Sequence, residues 1–177
     1  MAGGRAARVR HAGFVPFDDL VHQRVWRAFN SEVPVRTGAY GVIARADGCA
    51  AWVDSVDVYS SALLLRTCLI VTPERAARSG TQSFSWTRDI AEGDHAALAV
   101  MTLVEVDGQQ FSETDGTLHH GATGSSSSGR SHVSWWLPRV PAGELAVSVR
   151  ASSVDLAGTI KFDAASWPSD TARVLSL

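Results

Sequence analysis

Charge is scarce in this chain of 177 residues, at 19 % of positions, and it balances to a net −2. That balance argues against bulk nucleic acid or an anionic membrane surface as a partner. No run is long and apolar enough to form a transmembrane helix, so no membrane insertion is expected. The basic start, Met1 to Arg10, leads into no hydrophobic segment and does not read as a secretory signal. The expectation is a cytoplasmic protein. Cysteine is limited to Cys49 and Cys68. If Ser60-Ser61 turns a hairpin between their strands, position 49 falls opposite about position 71 and not 68. A disulfide is therefore disfavoured, and two buried free thiols are expected.

Catalytic signatures are missing as well. There is no Gly-x-Ser-x-Gly elbow. Gly121-x-x-Gly124 lacks the lysine and following helix of a phosphate loop. His119, His120 and His132 with Asp115 make the one cluster that could bind a metal. Adjacent histidines on a strand point to opposite faces, which argues against shared ligation. Ser125–Ser128 with His132 and Asp115 suggests a serine hydrolase, but four serines between glycines give a nucleophile no rigid seat. Asp54, Asp57, Glu105, Asp107 and Glu113 could supply paired carboxylates for glycoside hydrolysis. Among them Asp54 is the most interesting, because it shares a strand face with Trp52 and Val56. No catalytic residue, metal or cofactor is assigned.

What the sequence does have is period-two alternation. Leu145, Val147 and Val149 alternate with Ala146, Ser148 and Arg150. After a turn, Val154, Leu156, Gly158, Ile160 and Phe162 alternate with Asp155, Ala157, Thr159 and Lys161. These are two strands with one buried face each. Earlier strands read as Ala39 to Ala46, closed by an Asp47-Gly48 turn, then Ala50 to Tyr59 with Trp52, Val56 and Val58 on one face. Ala62 to Thr72 places Leu63, Leu65, Leu69 and Val71 on one face and Leu64, Cys68 and Ile70 on the other. Residues 73–95 read as a long connection with one short strand around Phe84 and Trp86. Ala97 to Val106, an Asp107-Gly108 hairpin turn, Gln109–Glu113 and Ser131 to Leu137 complete the strands.

Residues 114–130, with Gly121 to Gly129 at their centre, read as a flexible low-complexity loop. Residues 1–13 read as a flexible arm ahead of one domain, 14–177. Within 14–32, Leu20, Val21, Val25 and Phe29 have helical spacing and Asp18-Asp19 could cap them, though an extended edge segment fits too. One helical turn is expected around Ala172 to Leu175. The fold class is all-β: an antiparallel β-sandwich of about eight strands, with a β-barrel as the alternative.

The C-terminal third also resembles a family of uncharacterised small β-rich proteins from actinobacteria. The matching residues are Trp136, Leu137, Pro138, Pro141, Gly143 and Leu145, then Asp163, Ala164 and Ala165. Gly121–Gly129 is similar to that family's glycine-rich loop, and Val56-Asp57-Val58-Tyr59-Ser60 to its strand ending in Tyr. Arg150-Ala151-Ser152 departs from the acidic-aromatic element usual there. The resemblance implies the β fold and a bacterial source, and no activity. The source agrees with a second scarcity: Lys161 is the single lysine among 16 basic residues. With abundant Ala, Gly and Val, this is the bias of a G+C-rich genome.

Six tryptophans are the best functional clue. Trp135 and Trp136 are adjacent on a strand, so one faces the core and the other outward. The two-sided apolar strand 62–72 needs a cover on its Leu64, Cys68 and Ile70 face: the 14–32 segment, the 73–95 connection, or another chain. The expectation is a non-catalytic protein that works by association, as a protein-interaction module or assembly subunit. Its binding residues would be Trp135, Trp136, Leu64 and Ile70, and its partner another protein or a second copy. The alternatives are a carbohydrate- or small-ligand-binding module, with Trp135 or Trp136 as a platform, and a hydrolytic enzyme.

Overall fold

The computed structural model describes residues 19–80, 83–85, 97–112, 118–125 and 129–177. The expected arm 1–13, the Asp18 cap and Trp86, Asp115 and Glu113 lie outside the described residues. Helix α1 (Asp19–Ser31) opens the chain, so the helical reading of the 14–32 segment holds from Asp19 onward. Next come β1 (Glu32–Val33), β2 (Val35–Arg36), β3 (Gly41–Ala46), β4 (Cys49–Val58) and β5 (Leu63–Val71). Helix α2 (Pro73–Ser79), β6 (Ser83–Ser85), β7 (Ala97–Ala99), β8 (Met101–Val106) and β9 (Gln109–Ser112) follow. The chain closes with β10 (His119–Ser125), β11 (Arg130–Leu137), β12 (Glu144–Ala151), β13 (Leu156–Asp163), α3 (Trp167–Asp170) and β14 (Leu175–Ser176).

Two antiparallel sheets carry the fold. The six-stranded sheet runs β10-β11-β5-β4-β2, with β3 on the same edge of β4 as β2. The four-stranded sheet runs β13-β12-β8-β9. Their inner faces meet in one core that includes Val53, Val56, Val58, Leu63, Leu65, Leu69, Val104, Leu137, Leu145, Val147 and Leu156. Trp135 is wholly buried there, and its indole nitrogen donates to the buried Thr67 hydroxyl at 2.9 Å. This is the open sandwich expected from the alternation. The barrel alternative fails because β3 and β13, though close, do not pair.

The terminal hairpin follows its sequence pattern. Leu145, Val147, Val149 and Leu156 are buried, with Ile160 and Phe162 half-buried against the core. Arg150, Asp155 and Lys161 are exposed, and Ser148 is half-buried. Val154 departs from the reading: it is buried inside a 3₁₀ turn (Ser152–Val154), not in the strand. The β4–β5 hairpin turns at Ser60-Ser61 and sets Cys49 opposite Val71, so both cysteines are buried free thiols. Asp107-Gly108 turns β8 into β9 with both residues at positive φ, as a type I′ turn requires.

Four readings need correction. Residues 119–125, read as part of a flexible loop, form β10 and pair with β11. Small side chains say nothing against the backbone ladder that holds a strand. Ala97 to Val106 is not one strand: it breaks at the buried Val100, and β7 pairs with β6 in parallel. The start of the 73–95 connection is helix α2, and the C-terminal tail winds earlier, at Trp167–Asp170 and in a 3₁₀ turn at Thr171–Arg173. The fourth concerns β4. A bulge between Val53 and Ser55 reverses its phase, so Trp52 points outward while Val56 and Val58 point into the core.

Candidate functional site

The outer face of the six-stranded sheet holds most of the chemistry-bearing side chains, and the ladder register arranges them in rows. The first row is Arg36, Asp57, Leu64 and Trp136; the second is Ser55, Arg66 and Ser134. The third is Trp52, Cys68, His132 and Gly124, and the fourth is Ala50, Ile70 and Arg130.

Helix α1 covers Leu64 in the first row. Val25 and Ala28 pack on Tyr59, Ala62 and Leu64, with Trp136 at the margin. The cover for strand 62–72 is thus internal at this end, and Leu64 is only 2 % exposed. The opposite flank of α1 is open: Trp26 is 45 % exposed and Phe29 44 %. Their rings meet edge-on at 5.7 Å. Phe29 meets Trp136 at 5.2 Å, and Trp136 meets Tyr59 at 5.4 Å. An aromatic surface therefore runs from the helix onto the sheet. Burial pushes the Tyr59 phenol up in pKa, and the nearby Asp57 carboxylate adds to the shift.

Toward β2 in that row, and in the row below, the face is polar. Asp57 is buried, and its carboxylate accepts from Arg36 Nε at 3.0 Å and from Arg66 Nη1. Arg66 Nη1 also donates to Ser55 Oγ at 3.1 Å. The hydrogen bond to Asp57 raises the Arg36 pKa further. The β4 bulge makes this cluster, because without the phase reversal Ser55 and Asp57 would point into the core. Asp54, at the bulge itself, is exposed. One row further, the Arg130 guanidinium lies 5.3 Å from the centroid of the Trp52 ring. Burial pushes the Cys68 thiol up, against the pull of Arg130, so Cys68 is held as a neutral thiol.

The expected binding residues are thus divided. Trp136 is half-buried beside the aromatic surface, and Ile70, 40 % exposed, lies three rows away. Trp135 and Leu64 lie beneath the surface: one fills the core and the other is roofed by α1. Among the expected acids, Asp57 is paired with arginines and Glu105 accepts from Gln110. Asp107 accepts from the backbone N–H groups of Ala142, Gly143 and Glu144. His132 is exposed in the third row, and His119 and His120 pair in register with Trp136 and Trp135. Among the described residues no three His, Cys, Asp or Glu side chains converge as metal ligands. No helix among them is long and apolar enough to cross a membrane.

Sequence reasoning missed Trp26, Phe29, Arg36 and Arg66. A partial signal existed: Arg66 is the lone charge of apolar β5, and a Ser60-Ser61 hairpin brings it against β4, whose two charges are Asp54 and Asp57.

No family model matches the sequence, and no curated protein is similar to it. Among solved structures, the chain is similar to a conserved domain protein from Bacillus anthracis, with 12 % identity and a TM-score of 0.47. The match covers 73 % of this chain and 49 % of that one, so the chain spans about half the length of that structure.

Proposed function

We propose that this protein is a non-catalytic association module that docks a protein partner through the aromatic surface of α1 and the sheet beneath it. The observation that carries the reading is the Trp26–Phe29–Trp136 contact chain, with two of its three rings open to water. Tryptophan is among the side chains that dominate interface energies, and two tryptophans meet here through Phe29. Val25 and Ala28 seat the helix, and Trp26 and Phe29 stay 45 % and 44 % exposed beside them. The reading places the module in the cytoplasm of a bacterium, where thiols such as Cys49 and Cys68 stay reduced.

The test is affinity purification of the wild type beside a Trp26→Ala/Phe29→Ala variant of equal melting temperature. A partner, or a second copy, should be retained at fixed stoichiometry by the wild type and lost from the variant. Equal retention by both, or a wild type that retains nothing and is strictly monomeric by light scattering, would sink the reading.

A further inference from the structure

Asp57 is an unexpected residue on the outer face of a sheet, because only 4 % of its side chain reaches water. A carboxylate so withdrawn is costly unless it is paired, and two guanidiniums pair it. Arg36 comes from β2, at the sheet edge, and Arg66 from the middle of β5. Arg36 uses only Nε on the carboxylate, while Arg66 uses only Nη1, shared with Ser55. Arg36 therefore keeps both Nη groups, and Arg66 keeps Nε and Nη2, with no protein acceptor among the described residues. Neither free nitrogen of Arg66 is shut away from solvent. The buried carboxylate thus acts as a fixed peg that orients two guanidiniums whose remaining edges face outward. The Nε–Nη2 edge of arginine is the fork that matches the two oxygens of a carboxylate.

We propose that the Arg36–Arg66 pair receives an acidic side chain of a protein partner. The inference rests on the association reading and names the chemistry of the partner's anchor. Two features select an acidic protein segment. Four arginines (Arg36, Arg45, Arg66 and Arg130) stand against two aspartates (Asp54 and Asp57) over these rows, so the local balance favours an anion. Trp136 shares the row of Arg36 and Asp57, two strands along from Asp57, and lies one row from Arg66, so an acidic residue beside an apolar one would meet both parts. The rigid seating of both guanidiniums means that little side-chain freedom is lost on binding.

The test is binding of fluorescently labelled poly-L-glutamate, read by anisotropy at low ionic strength. The wild type should bind, and more weakly as salt is raised. An Arg36→Gln/Arg66→Lys variant should lose at least tenfold in affinity. Lysine at 66 keeps a charge beside Asp57 and loses the fork, so the variant should still fold; its melting temperature checks this. Arg36→Gln alone, at a largely exposed position, should lose about threefold and guards against misfolding of the double variant. Arg150→Gln, exposed on β12 of the other sheet, should bind the polymer as the wild type does. Poly-L-glutamate carries no apolar side chain, so its binding tests the arginines alone, and partner retention tests the association reading separately. A wild type blind to poly-L-glutamate would overturn the proposal, as would arginine variants that bind it unchanged. Tighter binding of single-stranded poly-uridylate to the same arginines would overturn it in favour of nucleic acid.

Discussion

Gly158 of β13 lies against the backbone of Ile43 in β3: a Cβ built on Gly158 would sit 2.3 Å from the Ile43 carbonyl oxygen. The Ala44 Cβ would be 2.9 Å away. Here the two sheets come closest at their edges, and a backbone atom cannot swing aside as a flexible side chain would. Gly41 makes the reciprocal approach from β3, but toward the end of the Ile160 side chain, which can move.

Gly158→Ala should therefore destabilise by about 1–3 kcal/mol, the usual cost of overpacking, despite the better strand propensity of alanine. Gly41→Ala should cost less, because Ile160 can change rotamer. Urea unfolding of the two variants measures the difference. Equal and small losses would show that the sheet edges are free to part.

Asp107 offers a pH-dependent counterpart. It sits at φ 49° in the β8–β9 turn, and its carboxylate accepts three backbone N–H bonds from Ala142 to Glu144. Those bonds, the one from Ala142 first, hold its pKa below the ordinary 3.8, with Arg139 assisting. A depressed folded-state pKa contributes stability that is present above the unfolded value and lost as pH falls through the folded one. Asp107→Asn keeps a side chain that tolerates positive φ, removes the charge and replaces one of the two accepting oxygens by an NH2 donor. It should cost about 1–2 kcal/mol at neutral pH, with the gap to the wild type narrowing as pH falls through the folded-state pKa, which lies below 3.8. Chemical unfolding across pH measures this, and a gap that persists at low pH would assign the loss to geometry instead of ionisation.

The contrast between Asp107 and Asp54 shows what the sequence could disclose. Asp107-Gly108 is a local signal, and its turn type follows from two residues. The bulge at Asp54 has no such signature. Strict alternation through Ala50–Tyr59 puts Asp54 on one face with Trp52 and Val56; a single extra residue in the ladder separates them and turns Asp57 outward to its arginines. The site was therefore hidden, because its existence depends on register at one position. Helix α2 was legible and missed. Thr72 accepts from the Arg75 N–H as an N-cap, Pro73 opens the helix, and Gly80 closes it at φ 68°. That Thr-Pro…Gly frame is a start and stop signal by itself. Strand β10 was not legible, since Gly and Ser report chain flexibility and carry no hydrophobic period.

For β10 the expectation drawn from composition now reverses. Thr123, Gly124 and Ser125 pair in register with Val133, His132 and Ser131. Deleting Thr123–Ser125 removes three rungs of the ladder and bares the edge of β11, which lines the core through Val133 and Trp135. A fall in melting temperature of several degrees should follow, where a free loop would tolerate the loss almost unnoticed. Hydrogen exchange gives a second reading: the paired amides of β10 should exchange more slowly than those of exposed turns such as Asp47-Gly48. An unchanged melting temperature would mean that β10 adds nothing to the sheet.

The outer face of β5 separates an internal cover from a surface. Leu64 and Ile70 share that face, but Leu64 is 2 % exposed under α1 and Ile70 is 40 % exposed beyond it. Leu64→Glu would push a carboxylate under α1 against Val25, Ala28 and Tyr59, directly opposite the Asp57 carboxylate in the ladder. Burying an unpaired charge ranks among the most damaging single changes, so a loss of about 4 kcal/mol or more is expected, with α1 detached from the sheet. Ile70→Glu should fall within about 1 kcal/mol of the wild type, because its site is partly open to water. Far-ultraviolet circular dichroism and thermal unfolding of the two single variants decide between them. If both changes proved equally harmless, α1 would not be the cover of Leu64. If Ile70→Glu alone left the fold intact while dissolving a wild-type oligomer, the docking surface would extend along β5 to its far end.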